Sequence, residues 1–121
     1  KRSAANRLRL HEAGAAAARV VTGKPLGTLA AAAPGGADAL LAFGVGLTQG
    51  CVGPGIRKST PSRFVPARLL FVLPADGGFD PTPVLTRIRA EARGMWLARV
   101  LVNTPPADLY PETFAAAAAE H

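Results

Sequence analysis

The side chains able to do chemistry are few and scattered along this sequence. Eight carboxylates, two histidines and one cysteine are spread over 121 residues. General acid–base catalysis needs titratable groups held together. Asp38, Asp80, Asp108 and Glu112 instead stand at the starts of predicted helices. There a carboxylate accepts hydrogen bonds from free backbone N–H groups and meets the positive end of the helix dipole. Capping accounts for these acids ahead of catalysis. His11 falls inside a predicted helix and His121 ends the chain, and neither has an evident Ser or Cys partner. Cys51 lies in a Gly-rich stretch with no His beside it, the setting of a bystander thiol rather than a nucleophile. A single Cys excludes an internal disulfide and a Cys-rich zinc site. With the histidines at opposite ends, nothing in the sequence supplies the converging ligands of a two-metal site.

Two Gly-rich stretches bear on phosphate binding. Gly44-Val45-Gly46 follows no strand and does not complete G-x-G-x-x-G. The run from Gly50 to Ser59, GCVGPGIRKS, has the wrong spacing to its Lys and Ser and no strong strand before it. The net charge is +6. Eleven of the fourteen cations are Arg, dispersed except for local clusters at 1–9 and 87–99. With 25 Ala, 13 Gly and 11 Pro, this Arg usage matches a GC-rich coding bias. Aromatic residues are too sparse among the cations to make a stacking platform and no binding motif is present, so nucleic acid is not an expected partner. No apolar run is long enough to cross a membrane, and no secretory signal pattern is expected.

The elements that must position these groups follow from periodicity and breakers. The spacing of Leu8, Ala15, Ala18 and Arg19 predicts a helix over 6–21 with Asn6 as its N-cap. Residues 26–33 form a short apolar run that reads as a strand despite its alanines. Asp38 is placed to cap a helix over 39–47, with Leu40, Phe43 and Leu47 on one face. Gly and Pro break the pattern through 48–66, which reads as a loop. The run 68–73, RLLFVL, bounded by Pro66 and Pro74, predicts a central strand covered on both faces. Asp76-Gly77-Gly78 makes a turn. Asp80-Pro81-Thr82-Pro83 starts a helix that runs to about 102, roughly 30 Å long. Its stripe is Leu85, Ile88, Ala92, Met95 and Val102, widened by Trp96. Asn103 is a C-cap suited to left-handed geometry, and Pro105 and Pro106 forbid continuation. Tyr110-Pro111-Glu112 begins a further helix. The order is α-β-α-β-α-α.

The most informative segment is 97–114, LARVLVNTPPADLYPETF. Physically it is a helix end, a Pro-stiffened connector and a new helix start. It resembles the junction of the leucyl (cytosol) aminopeptidase family, which reads A-R-D-L-V-N-T-P-x-N-x-L-x-P. Ala98, Arg99, Leu101, Val102, Asn103, Thr104, Pro105, Leu109 and Pro111 stand in register with it. Upstream the resemblance is one of element order, with Gly44 and Leu47 at the positions of a family E-G-x-x-L pattern. Three features depart from the family. Val100 replaces an Asp, Phe43 replaces a Glu, and 51–56 replaces an aromatic-rich loop, although Arg57-Lys58-Ser59 is retained.

The resemblance implies an α/β fold in three parts. These are a partial N-terminal α/β domain over 1–80, a long linker helix over 81–103, and the start of a truncated catalytic domain over 104–121. It implies a cytoplasmic, hexameric parent that releases N-terminal residues, often leucine, from peptides. In that parent two divalent ions, zinc or manganese with magnesium also seen, polarise the scissile carbonyl and activate a water. Their ligands are a Lys, Asp residues and a Glu, several within N-T-D-A-E-G-R, a motif downstream of His121. No metal ligand or catalytic residue therefore carries over. Arg99, Asn103, Thr104, Pro105 and Pro111 are structural junction residues. The chain begins at Lys1 and stops inside an Ala-rich helical run, which is expected of a piece cut from a longer protein. As a fragment it is expected to be inactive, with Met95, Trp96 and Leu101 exposed. One rival is a small basic α/β module that binds nucleic acid or an anionic partner. A second is a scaffold whose helix at 82–102 docks on another chain.

Overall fold

The structure, a computed structural model, describes residues 2–53, 59–75 and 78–120. The expected order is observed: α1 (Arg2–Val21), β1 (Thr28–Ala32), α2 (Ala37–Gly50), β2 (Arg68–Val72), α3 (Thr82–Val102) and α4 (Pro111–Ala119). Helices and two parallel strands are mixed along the chain, the content of an α/β class. Arg57-Lys58 of the expected loop motif and Asp76-Gly77 of the expected turn lie outside the described residues, as do Lys1 and His121.

β1 and β2 pair in parallel, Thr28 opposite Arg68 through Ala32 opposite Val72, with α2 as the crossover between them. Bonds from Arg68 N to Gly27 O (3.1 Å) and from Ala33 N to Val72 O (2.9 Å) extend the ladder at each end. Both strands alternate exposed and half-buried residues. The half-buried residues Leu29, Ala31, Leu69 and Phe71 face a core centred on α2. Leu40, Val45 and Ile88 form one part of that core, and Ala18, Leu47 and Cys51 the other. Phe43 and Phe71 touch both. The expected face of Leu40, Phe43 and Leu47 is thus the one α2 buries.

The close approach of α1 to α2 has a simple cause. A Cβ on Gly14 would lie 2.8 Å from Leu47 N, and one on Gly46 2.9 Å from His11 Cα. A Cβ on Gly50 would lie 2.8 Å from Ala15 Cα. These glycines, with Ala15 and Ala18, let two helix backbones touch. Gly44-Val45-Gly46 is therefore a helix-packing segment, with Gly44 against the Ile88 side chain.

Several sequence expectations need correction. α1 begins before Asn6, which sits inside the helix rather than at its cap. Ala4 and Ala5 have high helix propensity, so the pattern carries no stop there. α2 starts one residue before Asp38, and its N-cap is Gly36 at φ 91, a conformation natural only to Gly. Asp38 lies in the first turn. Helix α2 continues through residues 48–50, expected as loop, because Gly50 is held against α1. Strand β2 is covered on one face only. Leu70 is 51% exposed and Val72 59% exposed, since no layer of the described chain lies over them. At the start of α3, Asp80 does hold the first turn. Its Oδ1 accepts from Thr82 N at 2.9 Å, which keeps the carboxyl below its ordinary value. In α3, Ile88 is buried and Trp96 is 44% exposed as expected, but Met95 and Leu101 are half-buried.

Candidate functional site

The junction residues serve the end of α3 and the start of α4. Arg99 is half-buried, and its guanidinium donates to Val52 O at 3.0 Å, tying α3 to the residues just after α2. Asn103 is the C-cap, but at φ −94 it is not left-handed. Its side-chain Nδ2 closes the helix instead, donating to Arg99 O at 2.8 Å. An amide that caps through its side chain removes the need for a left-handed backbone. Thr104 adds a second closure, its hydroxyl donating to Val100 O at 2.7 Å. Pro105 then provides the turn: its carbonyl accepts from Asp108 N (2.9 Å) and Leu109 N (3.0 Å). Pro111 occupies the first turn of α4, where its missing N–H costs nothing. Tyr110 N donates to the Thr113 hydroxyl at 3.0 Å, satisfying one more group at that start.

Two residues with no distinguishing sequence pattern, Gln49 and Arg63, join the helices. His11 Nε2 and Gln49 Oε1 lie 3.1 Å apart, and Gln49 Nε2 donates to Met95 Sδ. One amide thus links α1, α2 and α3, which explains why Met95 is not free. Arg63 donates to Arg19 O at 2.6 Å, and Phe64 N donates to Thr22 O at 2.8 Å. The buried Thr22 hydroxyl in turn donates to Ala18 O. The segment after 59 is therefore stitched to the end of α1. The side-chain partners lie 38 to 46 residues apart in sequence, and no local signal marks them.

These contacts outline a cleft of about 550 Å³ where the C-terminal ends of α1, α2 and α3 converge. Arg19, Arg63 and Arg99 line it, with His11, Glu12 and Asn103. Beyond Gln49 and Arg99 an open groove of about 1020 Å³ runs past Val65, Leu69, Met95 and Trp96.

No protein-family model matches the chain, and no curated protein or solved structure is significantly similar to it. Among the described residues no three His, Cys, Asp or Glu side chains come together as ligands. Nor is any described helix long and apolar enough to cross a membrane.

Cys51 is buried in the core beside Ala18 and Leu47. Burial disfavours the thiolate and pushes the thiol above its ordinary value. The thiolate is the reactive form, so the folded chain should react with a thiol-specific disulfide reagent at neutral pH only after denaturant is added. Stoichiometric reaction within seconds under native conditions would show that the site is open.

Proposed function

We propose that this chain is a piece of a two-metal, leucyl-aminopeptidase-like exopeptidase, covering part of its N-terminal domain, its linker helix and the entrance to its catalytic domain. The observation that carries the reading is the junction. The residues that resemble the family motif are the ones that end α3, turn the chain and start α4. Arg99 anchors the helix end, Asn103 and Thr104 close it, Pro105 makes the turn, and Pro111 opens the next helix. Five of the nine residues in register, Arg99, Asn103, Thr104, Pro105 and Pro111, have such a task in the geometry of this turn. Val100, which replaces the family's Asp, gives its carbonyl to Thr104, so the closure survives the change.

On this reading the chain holds no catalytic residue and binds no metal by itself. The parent would be a cytoplasmic hexamer that takes peptides as substrate and uses manganese or zinc. The arginines are dispersed, with only sparse aromatics such as Phe64 and Trp96 set among them, which gives the nucleic-acid module less support.

The deciding experiment is to read the coding frame past His121 and express the whole product. An open frame encoding a Lys–Asp pair and N-T-D-A-E-G-R is expected. Its product should release p-nitroaniline from leucine p-nitroanilide when supplied with Mn²⁺ or Zn²⁺. The 121-residue chain alone should release none. A stop codon directly after His121, or a full-length product without metal-dependent activity, would overturn the reading.

A further inference from the structure

The cleft at the convergence of α1, α2 and α3 has more donors than acceptors. Arginines from three segments line it: Arg19 on α1, Arg63 from the 59–67 stretch, and Arg99 on α3. Each guanidinium carries five N–H groups. Arg63 uses one on Arg19 O, and Arg99 uses one on Val52 O. The Arg19 side chain makes no hydrogen bond or ion pair with the described residues. Among those residues the ion pair between Arg87 and Glu91 lies elsewhere, on α3.

The opposing charges are small. Among the described residues Glu12 is the one carboxylate lining the cleft. Three helix ends would contribute partial negative charge through unsatisfied carbonyls. Here those carbonyls are largely taken. Ala18 O accepts from Thr22, and Arg19 O from Arg63. Leu47 O accepts from Cys51 N, and Gln49 O from Val52 N. Arg99 O, Val100 O and Leu101 O accept from Asn103 and Thr104. What remains is a concave, positive site with spare N–H donors, two of its three arginines held in place by backbone bonds.

From this we infer that the cleft binds a small, multiply charged oxyanion of the phosphate class. Such a ligand has several acceptor oxygens and can take donors from more than one guanidinium at once. The inference does not depend on the peptidase reading, because it is argued from described residues of the cleft alone.

Inorganic phosphate is the probe, titrated into the chain by calorimetry against sodium chloride of equal ionic strength. Saturable one-to-one binding is expected. Arg19→Gln is the informative variant, since its side chain supports no other bond to the described residues. It should weaken phosphate binding about tenfold, the loss expected for one charge-assisted contact. Arg89→Gln removes the same charge from an exposed position on α3 and should leave binding unchanged. Arg63→Lys keeps the charge but loses the planar fork, and it too should weaken binding in a chain that still melts cooperatively. Equal losses in Arg19→Gln and Arg89→Gln would show general charge attraction and overturn the site. So would binding that is absent, or tightening only with long polyanions such as duplex DNA.

Discussion

Gly46→Ala should lower the melting temperature by about 10–20 °C, the consequence of losing roughly 3 kcal/mol in a domain of this size. The single added methyl has nowhere to go. It would fall on the backbone of His11, with the carbonyl oxygen nearest and Cα 2.9 Å away. A long side chain can swing aside, but a helix backbone cannot, so α1 must move off α2 as a unit. That motion also parts His11 from Gln49 and uncovers Ala18 and Leu47. Domains are stable by only about 5–15 kcal/mol, so a loss of this size is a large share of the total. Gly94→Ala is the matched control. Gly94 lies mid-helix in α3, and a Cβ there would have nothing within 4 Å. The change should therefore stabilise by about 0.5–1 kcal/mol through helix propensity. Thermal melts followed by circular dichroism measure both. If Gly46→Ala melts within about 3 °C of the parent chain, the two backbones are not in contact and the account of the crossing fails.

The crossing also shows where sequence is informative and where it is ambiguous. Gly46 and Gly50 stand four apart, as do Gly14 and Ala18, which is the spacing of small residues on one helix face. The same glycines also fit a G-x-G loop and the start of an irregular Gly- and Pro-rich stretch, so composition alone does not separate a helix crossing from a turn. The α3 boundaries are legible for stronger reasons. Prolines set both ends, and a proline's effect on the backbone does not depend on tertiary context. Asn6 and Asp38 mislead as helix starts because a cap is worth only about 1 kcal/mol, which neighbouring alanines or a Gly turn can override. Of the arginine cleft, only Arg99 stands out in the sequence, through the junction motif. Arg63 and Arg99 are fixed there by partners more than forty residues away, and local spacing carries no information about such pairs.

Leu40→Ala and Leu70→Ala test the least expected feature of the fold, the uncovered face of the sheet. Both are leucines, and hydropathy treats them alike. Leu40 is 0% exposed and sits in the core with Val45 and Ile88. Its truncation removes apolar contacts and leaves a cavity, at a cost of about 2–5 kcal/mol. Leu70 is 51% exposed on the outer face of β2. Little area leaves water there on folding, so its truncation should cost less than about 1 kcal/mol. The apolar run 69–73 encodes a strand, but not whether a second layer exists to cover it. Parallel sheets are ordinarily covered on both faces, and in this chain α2 covers one. Urea unfolding of the two variants separates the cases, because a change in midpoint at constant slope reads stability directly. Equal costs at both positions would mean that the outer face is buried in the isolated chain, by self-association or by rearrangement. A Leu70 cost that grows with protein concentration would assign it to self-association.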